Sequence, residues 1–229
     1  MDGNGRWARA RGLPRTMGHR AGVDAVRRTV EAAGNAGVRY LTLFGFSTEN
    51  WRRPEREVRD LLGLIRIYIR AELASLVENR IRLRVIGRRD RLPGSLVRDI
   101  ETAERRTEPF DRLTLTVAID YGGRDEILRA TQAIARAAQL GHLDPSAIDE
   151  TAISDQLYAP DLPDVDLLIR SSGEARLSNF LLWRLAYAEL VFVDTLWPDF
   201  GAESLQSAMA AFQTRDRRFG AIPVGAAIG

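Results

Sequence analysis

Cysteine and lysine are both absent from these 229 residues. Without thiols there can be no disulfide, no thiolate nucleophile and no cysteine metal site. Without lysine the Gly-x-x-x-x-Gly-Lys-Ser/Thr phosphate loop cannot be built, which excludes nucleotide hydrolysis by that device. No apolar run approaches the ~20 residues needed to cross a bilayer, and no secretory signal is visible, so a cytoplasmic protein is expected. Aromatic residues are sparse at 7%, but a hydrophobic share of 45% is enough for one sizeable core. A single domain over residues 1–220 is expected, followed by a small apolar tail at 221–229 that frays.

All 33 basic residues are arginine, set against 31 acids. The near balance speaks against a nucleic-acid binder, which needs clustered positive charge with interleaved aromatics. Arginine and acid instead alternate, as in Arg56-Glu57-Val58-Arg59-Asp60, the pattern of a solvated helix face. Arginine also has a planar fork of donors that matches phosphate better than lysine does.

Apolar spacing predicts a helix over 21–36 stopped near Gly37, and a long helix from Pro54 to about Val77. Further helices are expected at 96–106, 124–139, 148–158 and 203–213. Short apolar runs at 40–46, 81–86, 113–119, 165–169 and 190–193 read as strands buried on both faces. Repeated strand–helix alternation predicts a three-layer α/β fold around a central, mostly parallel sheet. Ligands of such sheets sit beyond the carboxyl ends of the strands. The polar clusters at 47–53, 120–124 and 170–178 all fall at such ends.

The segment Asp2-Gly3-Asn4-Gly5-Arg6-Trp7 places a carboxylate, two glycines and a guanidinium within six residues. Asp2 can hold a hard cation such as Mg²⁺, Arg6 can grip phosphate, and the glycines allow close approach of backbone to ligand. The same composition also makes an ordinary turn. In the second cluster, Ser47, Glu49, Asn50 and Arg53 form a polar wall, although Ser47 or Asn50 could simply cap the helix that Pro54 opens, and Trp51 could be a core-edge aromatic. In the third, Arg170 and Arg176 flank a Ser-Ser-Gly loop, with Ser178 two residues on: charge-assisted donors and hydroxyls suited to a diphosphate. His19, near Arg15, can donate to phosphate or shuttle a proton near neutral pH, whereas His142 beside Gly141 reads as a loop residue. Glu189 beside an apolar strand needs a metal or an arginine partner. Leu61, Leu64, Ile65 and Tyr68, with Gly45, Ile81 and Leu113, are candidate walls of an apolar channel, or else ordinary core.

Five separated stretches together resemble the signature set of the cis-prenyltransferases: Asp2 to Ala8, Gly18 to Gly22, Phe46 to Trp51, Tyr121 to Arg124, and Arg170 to Asn179. The likeness continues through Phe180–Trp183, Ala188–Leu190, Leu196–Phe200 and Arg217–Gly220, in order over roughly residues 1–220, and bacterial undecaprenyl diphosphate synthases are the group most resembled. The resemblance implies a homodimer that adds isopentenyl diphosphate units to farnesyl diphosphate with cis double bonds. Its product, undecaprenyl diphosphate, is the precursor of the lipid carrier for cell-wall synthesis. Asp2 would hold Mg²⁺, with Glu189 near the metal. Gly3, Asn4, Gly5, Arg6, Trp7, Arg15 and His19 would line the allylic diphosphate site, and Arg170, Arg176 and Ser178 would hold isopentenyl diphosphate. Ser47, Glu49, Asn50, Trp51 and Arg53 would orient that substrate, with Asn50 taking part in proton removal.

A shorter product, or a non-catalytic partner subunit of the same fold, are the rival implications. The enzyme would at most lie peripherally on a membrane. The family also carries an apolar strand immediately before Asp2, and this chain begins at Met1, so the sheet is expected to lack a member and Asp2 to be poorly fixed. Asp120 replaces a common Asn and Ser171-Ser172 a common Thr-Gly; neither change removes a charged ligand.

Overall fold

The computed structural model describes residues 1–215; the tail at 221–229 and the Arg217–Gly220 stretch lie outside them. The elements are helices α1 (Asn4–Ala10), α2 (Arg15–Asn35), α3 (Glu55–Glu78), α4 (Gly94–Thr107), α5 (Gly123–Gln139), α6 (Glu150–Ser154) and α7 (Ala202–Gln213). They are interleaved with strands β1 (Tyr40–Ser47), β2 (Ile81–Ile86), β3 (Leu113–Tyr121), β4 (Leu167–Arg170) and β5 (Glu189–Phe192). Pro14, Pro54 and Pro93 stand immediately before α2, α3 and α4. Proline there fixes φ and removes no hydrogen bond, because the first amides of a helix have no intrahelical acceptor.

Every strand pairing is parallel, so the α/β class read from the alternation holds. β3 lies between β1 and β2, and all but one of its residues are buried. Its odd-numbered apolar residues Leu113, Leu115 and Ile119 join Val26, Val30, Leu62 and Ile69 of α2 and α3 in the main core. On the other face Ala118 packs with Ile86, Leu168, Phe180, Leu181 and Leu185. Period-two alternation thus feeds two apolar layers, each buried Leu or Ile contributing about 1.5–3 kcal/mol.

The strands do not form one continuous sheet. They make a three-stranded sheet, β1-β3-β2, and a separate two-stranded one, β4-β5. β1 and β4 both border one cavity of about 1450 Å³.

Two boundaries differ from the sequence reading for an identifiable reason. α1 begins inside the stretch read as a turn, and α2 starts at Arg15 rather than at 21. Gly18 and Gly22, which weaken a helix signal, are used here for contact. A Cβ at Gly18 would lie 2.0 Å from the Asn4 carbonyl oxygen, and one at Gly22 would lie 2.6 Å from Asn4 Oδ1. α1 docks on α2 through that missing bulk.

Candidate active site

The carboxyl ends of β1 and β4 and the start of α1 meet at the large cavity. Of the residues singled out from sequence, Asp2, Gly3, Asn4, Gly5, Arg6, Arg15, His19, Ser47, Glu49, Asn50, Arg53, Arg170, Arg176 and Ser178 all line it. Three do not. The Trp7 indole donates to Asp199 at 2.7 Å and lies under Arg11. Trp51 donates to Asp120 at 2.8 Å and sets its ring edge-on to Phe46. Glu189 accepts from Arg215 at 2.6 Å, so the arginine partner, one of its two expected fates, is the one found.

Asp2 is firmly held, contrary to the loose position expected for it. Its N–H donates to Ser171 Oγ at 3.2 Å, and its carbonyl accepts from Ser172 Oγ at 2.6 Å and from the Trp197 N–H at 2.9 Å. Its carboxylate accepts from Arg170 Nε at 3.0 Å and Nη2 at 2.9 Å, both contacts falling on Oδ2. The fixing groups come from 168–195 positions away, which is why no local reading finds them. Gly3 is required next to Asp2: its φ is +95°, and a Cβ would sit 2.4 Å from Ser172 Oγ. Gly5 has no such conformation; it clears room beside the Arg15 side chain.

The arginines are paired through shared acids. Glu174 accepts from Arg6 at 3.0 Å and also pairs with Arg176. Glu57 accepts from Arg15 at 3.1 Å and from Arg53 at 3.0 Å. Arg170 Nη1 reaches the Arg176 carbonyl and donates to Ser178 Oγ at 2.8 Å. These pairs hold five guanidinium groups around one cavity against three carboxylates, Asp2, Glu57 and Glu174, which leaves an excess of positive charge facing it. The loop that carries three of the partners is conformationally constrained: Ser172, Ser178, Asn179 and Leu181 all have positive φ. Backbone of that kind persists where the surroundings over-determine it.

The capping alternative for Ser47 and Asn50 is realised, although on a different helix. Asn50 Oδ1 accepts from the Ser47 N–H at 3.0 Å, closing a capping box on the 3-10 turn Thr48–Arg52 rather than on α3. Asn50 therefore both caps and lines the cavity. Asn179 ties three loops together: its amide donates to Glu49 at 2.9 Å, its Oδ1 accepts from the Arg124 N–H, and its carbonyl from the Gly123 N–H.

His19 Nε2 and Asn4 Oδ1 are buried without a hydrogen-bond partner. Both line the large cavity and also a second one. Burial holds the His19 pKa below its ordinary value, the neighbouring Arg15 adding to the effect. Unsatisfied buried polar atoms cost free energy unless a ligand completes them. Arg9, Asn179 and Arg184 also line the large cavity. Arg9 and Arg184 carried no motif signal, since isolated arginines are common in this chain.

The second cavity, about 330 Å³, runs between α2, α3 and the three-stranded sheet. Its walls include all seven channel candidates: Gly45, Leu61, Leu64, Ile65, Tyr68, Ile81 and Leu113. Asn4, His19, Leu43, Gly45, Leu61 and Trp197 border both cavities. The arginine-rich cavity therefore opens directly on an apolar one.

Among the described residues no group of three or more His, Cys, Asp or Glu could hold a metal ion. Nor is any helix long and apolar enough to cross a membrane.

Comparison with known proteins points the same way. The family described as "Putative undecaprenyl diphosphate synthase" matches residues 1–220. An isoprenyl transferase of Agrobacterium fabrum is 55% identical over 97% of this chain and 90% of its own length, and one from Zymomonas mobilis is 53% identical over the same shares. Among solved structures, lavandulyl diphosphate synthase from Lavandula x intermedia, in complex with dimethylallyl diphosphate, superimposes with a TM-score of 0.92. It shares 35% identity and is matched over 96% of this chain and 95% of that one. A probable undecaprenyl diphosphate synthase from Campylobacter jejuni gives 0.77 at 34% identity, over 87% and 92%. With its guanidinium-rich cavity opening on an apolar one and its likeness running nearly end to end, the chain belongs to the undecaprenyl diphosphate synthase family of cis-prenyltransferases.

Proposed function

We propose that this chain adds isopentenyl diphosphate units to farnesyl diphosphate with cis double bonds, giving undecaprenyl diphosphate for cell-wall lipid carrier synthesis. The observation that carries the reading is the junction at Asn4, His19, Gly45 and Leu61, where the arginine-rich cavity meets the apolar one. A prenyl diphosphate has that same division, with a charged head and an alkyl tail. Each five-carbon unit moved from water into the apolar cavity is worth about 4 kcal/mol at ~0.8 per methylene-sized group. Growth of the chain into that cavity is therefore favourable.

Arg6, Arg15, Asn4 and His19 bind the allylic diphosphate in this reading, and Arg170, Arg176 and Ser178 the diphosphate of isopentenyl diphosphate. Charge-assisted donors of this kind stabilise the charge that develops as diphosphate departs, and they align the two reactants. Asn50, fixed by the Ser47 cap, orients the isopentenyl group beside the position where the proton leaves. Mg²⁺ fits as a cofactor: Arg170 occupies only Oδ2 of Asp2, and one carboxylate with substrate phosphate oxygens is a common Mg²⁺ donor set. When bound it supplies charge neutralisation at the diphosphate. Glu189, which does not line the cavity of Asp2, is proposed to act near the metal only across a homodimer. The enzyme is placed in the cytoplasm, at most peripheral to a membrane.

A shorter product is the second reading, favoured by the TM-score of 0.92 to lavandulyl diphosphate synthase. Incubation with farnesyl diphosphate, isopentenyl diphosphate and Mg²⁺, followed by mass spectrometry of the product, tests both. An undecaprenyl-length product supports the first, and a product that stops after one or two additions supports the second. Absence of any condensation overturns both.

A further inference from the structure

The apolar cavity changes character along its length. Next to His19 and Asn4 it is walled by Leu43, Leu61 and Ile65; farther along α2 and α3 its lining adds Arg27, Glu72, Ser75 and Asn79 to the apolar Leu76, Ile81 and Leu113. Glu72 is the outlier. It is 6% exposed, and a buried carboxylate needs a paired, hydrogen-bonded partner. Arg27 is that partner: its Nε donates to Glu72 Oε2 at 3.1 Å and its Nη2 pairs with Oε1. The neighbouring Tyr68 hydroxyl is pushed well above its ordinary range, first by burial and then by the Glu72 charge. The carboxylate lies inward while Arg27 is 54% exposed, so the pair stands where the cavity wall meets solvent.

The same pair joins the two helices that wall the cavity. Two ion pairs between α2 and α3 stand among the described residues. Arg15–Glu57 lies at the diphosphate end and Arg27–Glu72 twelve positions farther along α2, about 18 Å at helical rise. The helices are bound to each other at both places, with the apolar cavity running between them.

We infer that the Arg27–Glu72 pair is the length-determining stop for the growing prenyl chain. The inference rests on the condensation reading above and adds to it a specificity device outside the diphosphate sites. Two effects of the pair act together. It sets a charged, hydrogen-bonded contact into the wall beyond Ile65, against which an alkyl segment gains less than against apolar side chains, and it keeps α2 and α3 from separating to admit more chain. Neither residue touches the diphosphate-binding groups, so the pair acts on product length and not on the condensation step itself.

The test is the product distribution of the Arg27→Leu, Glu72→Leu double variant, with farnesyl diphosphate, isopentenyl diphosphate and Mg²⁺, beside the parent chain. Replacing both members leaves no carboxylate buried without its partner, and it extends the apolar wall. The expected result is a modal product longer by at least one five-carbon unit. A double variant that condenses but keeps the parent distribution overturns the inference and leaves the condensation reading intact. A parent chain that fails to condense at all overturns that reading, and this inference with it. Should the double variant not accumulate as folded protein, the Arg27→Met, Glu72→Met double variant removes both charges with more adaptable side chains, with the same lengthening expected and the same unchanged distribution counting against.

Discussion

Arg170 and Asp2 meet side by side, Nε and Nη2 of the guanidinium donating to a single carboxylate oxygen at 3.0 and 2.9 Å. One residue closes β4 and the other precedes α1, and the resemblance gives them to different substrates. Under the proposed function, the contact makes the two diphosphate subsites one electrostatic unit. Asp2→Ala and Arg170→Ala are each expected to lower kcat/KM by about 10²–10³, the scale for removing one group that stabilises developing charge. The double variant should fall by less than the product of the two losses, with a coupling energy of about 0.5–3 kcal/mol. Strictly additive losses would show that the residues act independently.

His19 gives a pH signature. Burial lowers its pKa in the folded chain below 6.5, the value expected on unfolding. Above that pH the group is neutral in both states and contributes nothing. As pH falls through 6.5 and below, the unfolded chain takes up a proton that the folded chain resists, so stability is lost on acidification. Thermal unfolding between pH 7 and 5 should fall more steeply for the parent than for His19→Gln. Parallel curves would remove the argument.

The glycines separate cleanly by what surrounds them. Gly18→Ala drives a methyl into the Asn4 carbonyl at 2.0 Å and should cost about 1–3 kcal/mol, as overpacking does. Gly63→Ala, within α3 and with nothing within 4 Å of its added Cβ, should stabilise by about 0.5–1 kcal/mol. Urea midpoints of the two variants moving in the same direction would be incompatible with the docking described for α1 on α2.

Asp120 is fully buried with φ of +51° and serves Trp51 and Arg91 at once. Asp120→Ala should cost about 1–3 kcal/mol, because it leaves the Trp51 indole N–H without its acceptor, while Arg91, 38% exposed, stays within reach of water. Asp120→Asn keeps an acceptor for the Trp51 indole, and Asn tolerates the left-handed backbone, so a loss of less than about half that is expected. Chemical denaturation of the two variants decides; equal losses would mean the charge, not the hydrogen bond to Trp51, is what matters.

Much of the fold was legible because the apolar runs are unambiguous. Ile81–Ile86 is a strand with the boundaries read from its residues, and β3 extends its predicted run by only two, through Asp120 and Tyr121. The start of α2 and the whole of α1 were not legible, since glycines placed for close contact look the same in sequence as glycines placed for a turn. The division of the strands into two sheets was not legible, since strand–helix alternation predicts a single central sheet. Site residues were found where chemistry clusters locally, as at Arg170, Arg176 and Ser178. The bridging acids Glu57 and Glu174 escaped notice because their meaning depends on arginines brought from other elements. Trp7 and Trp51 stood in the right motifs, but their indoles turn to Asp199 and Asp120 instead of the cavity.

The separation of the strands into two sheets sets the spacing within the active site. Arg170 is carried by β4, while Ser47, Asn50 and Arg53 follow from β1, and no ladder of backbone hydrogen bonds joins those strands. What spans the gap is instead side-chain contact: Asp2 with Arg170, Ser171 and Ser172, Asn179 with Glu49, and Phe44 of β1 stacked on Phe180. The width of the cavity is thus set by these few side chains, while the register within each sheet is set by backbone alone.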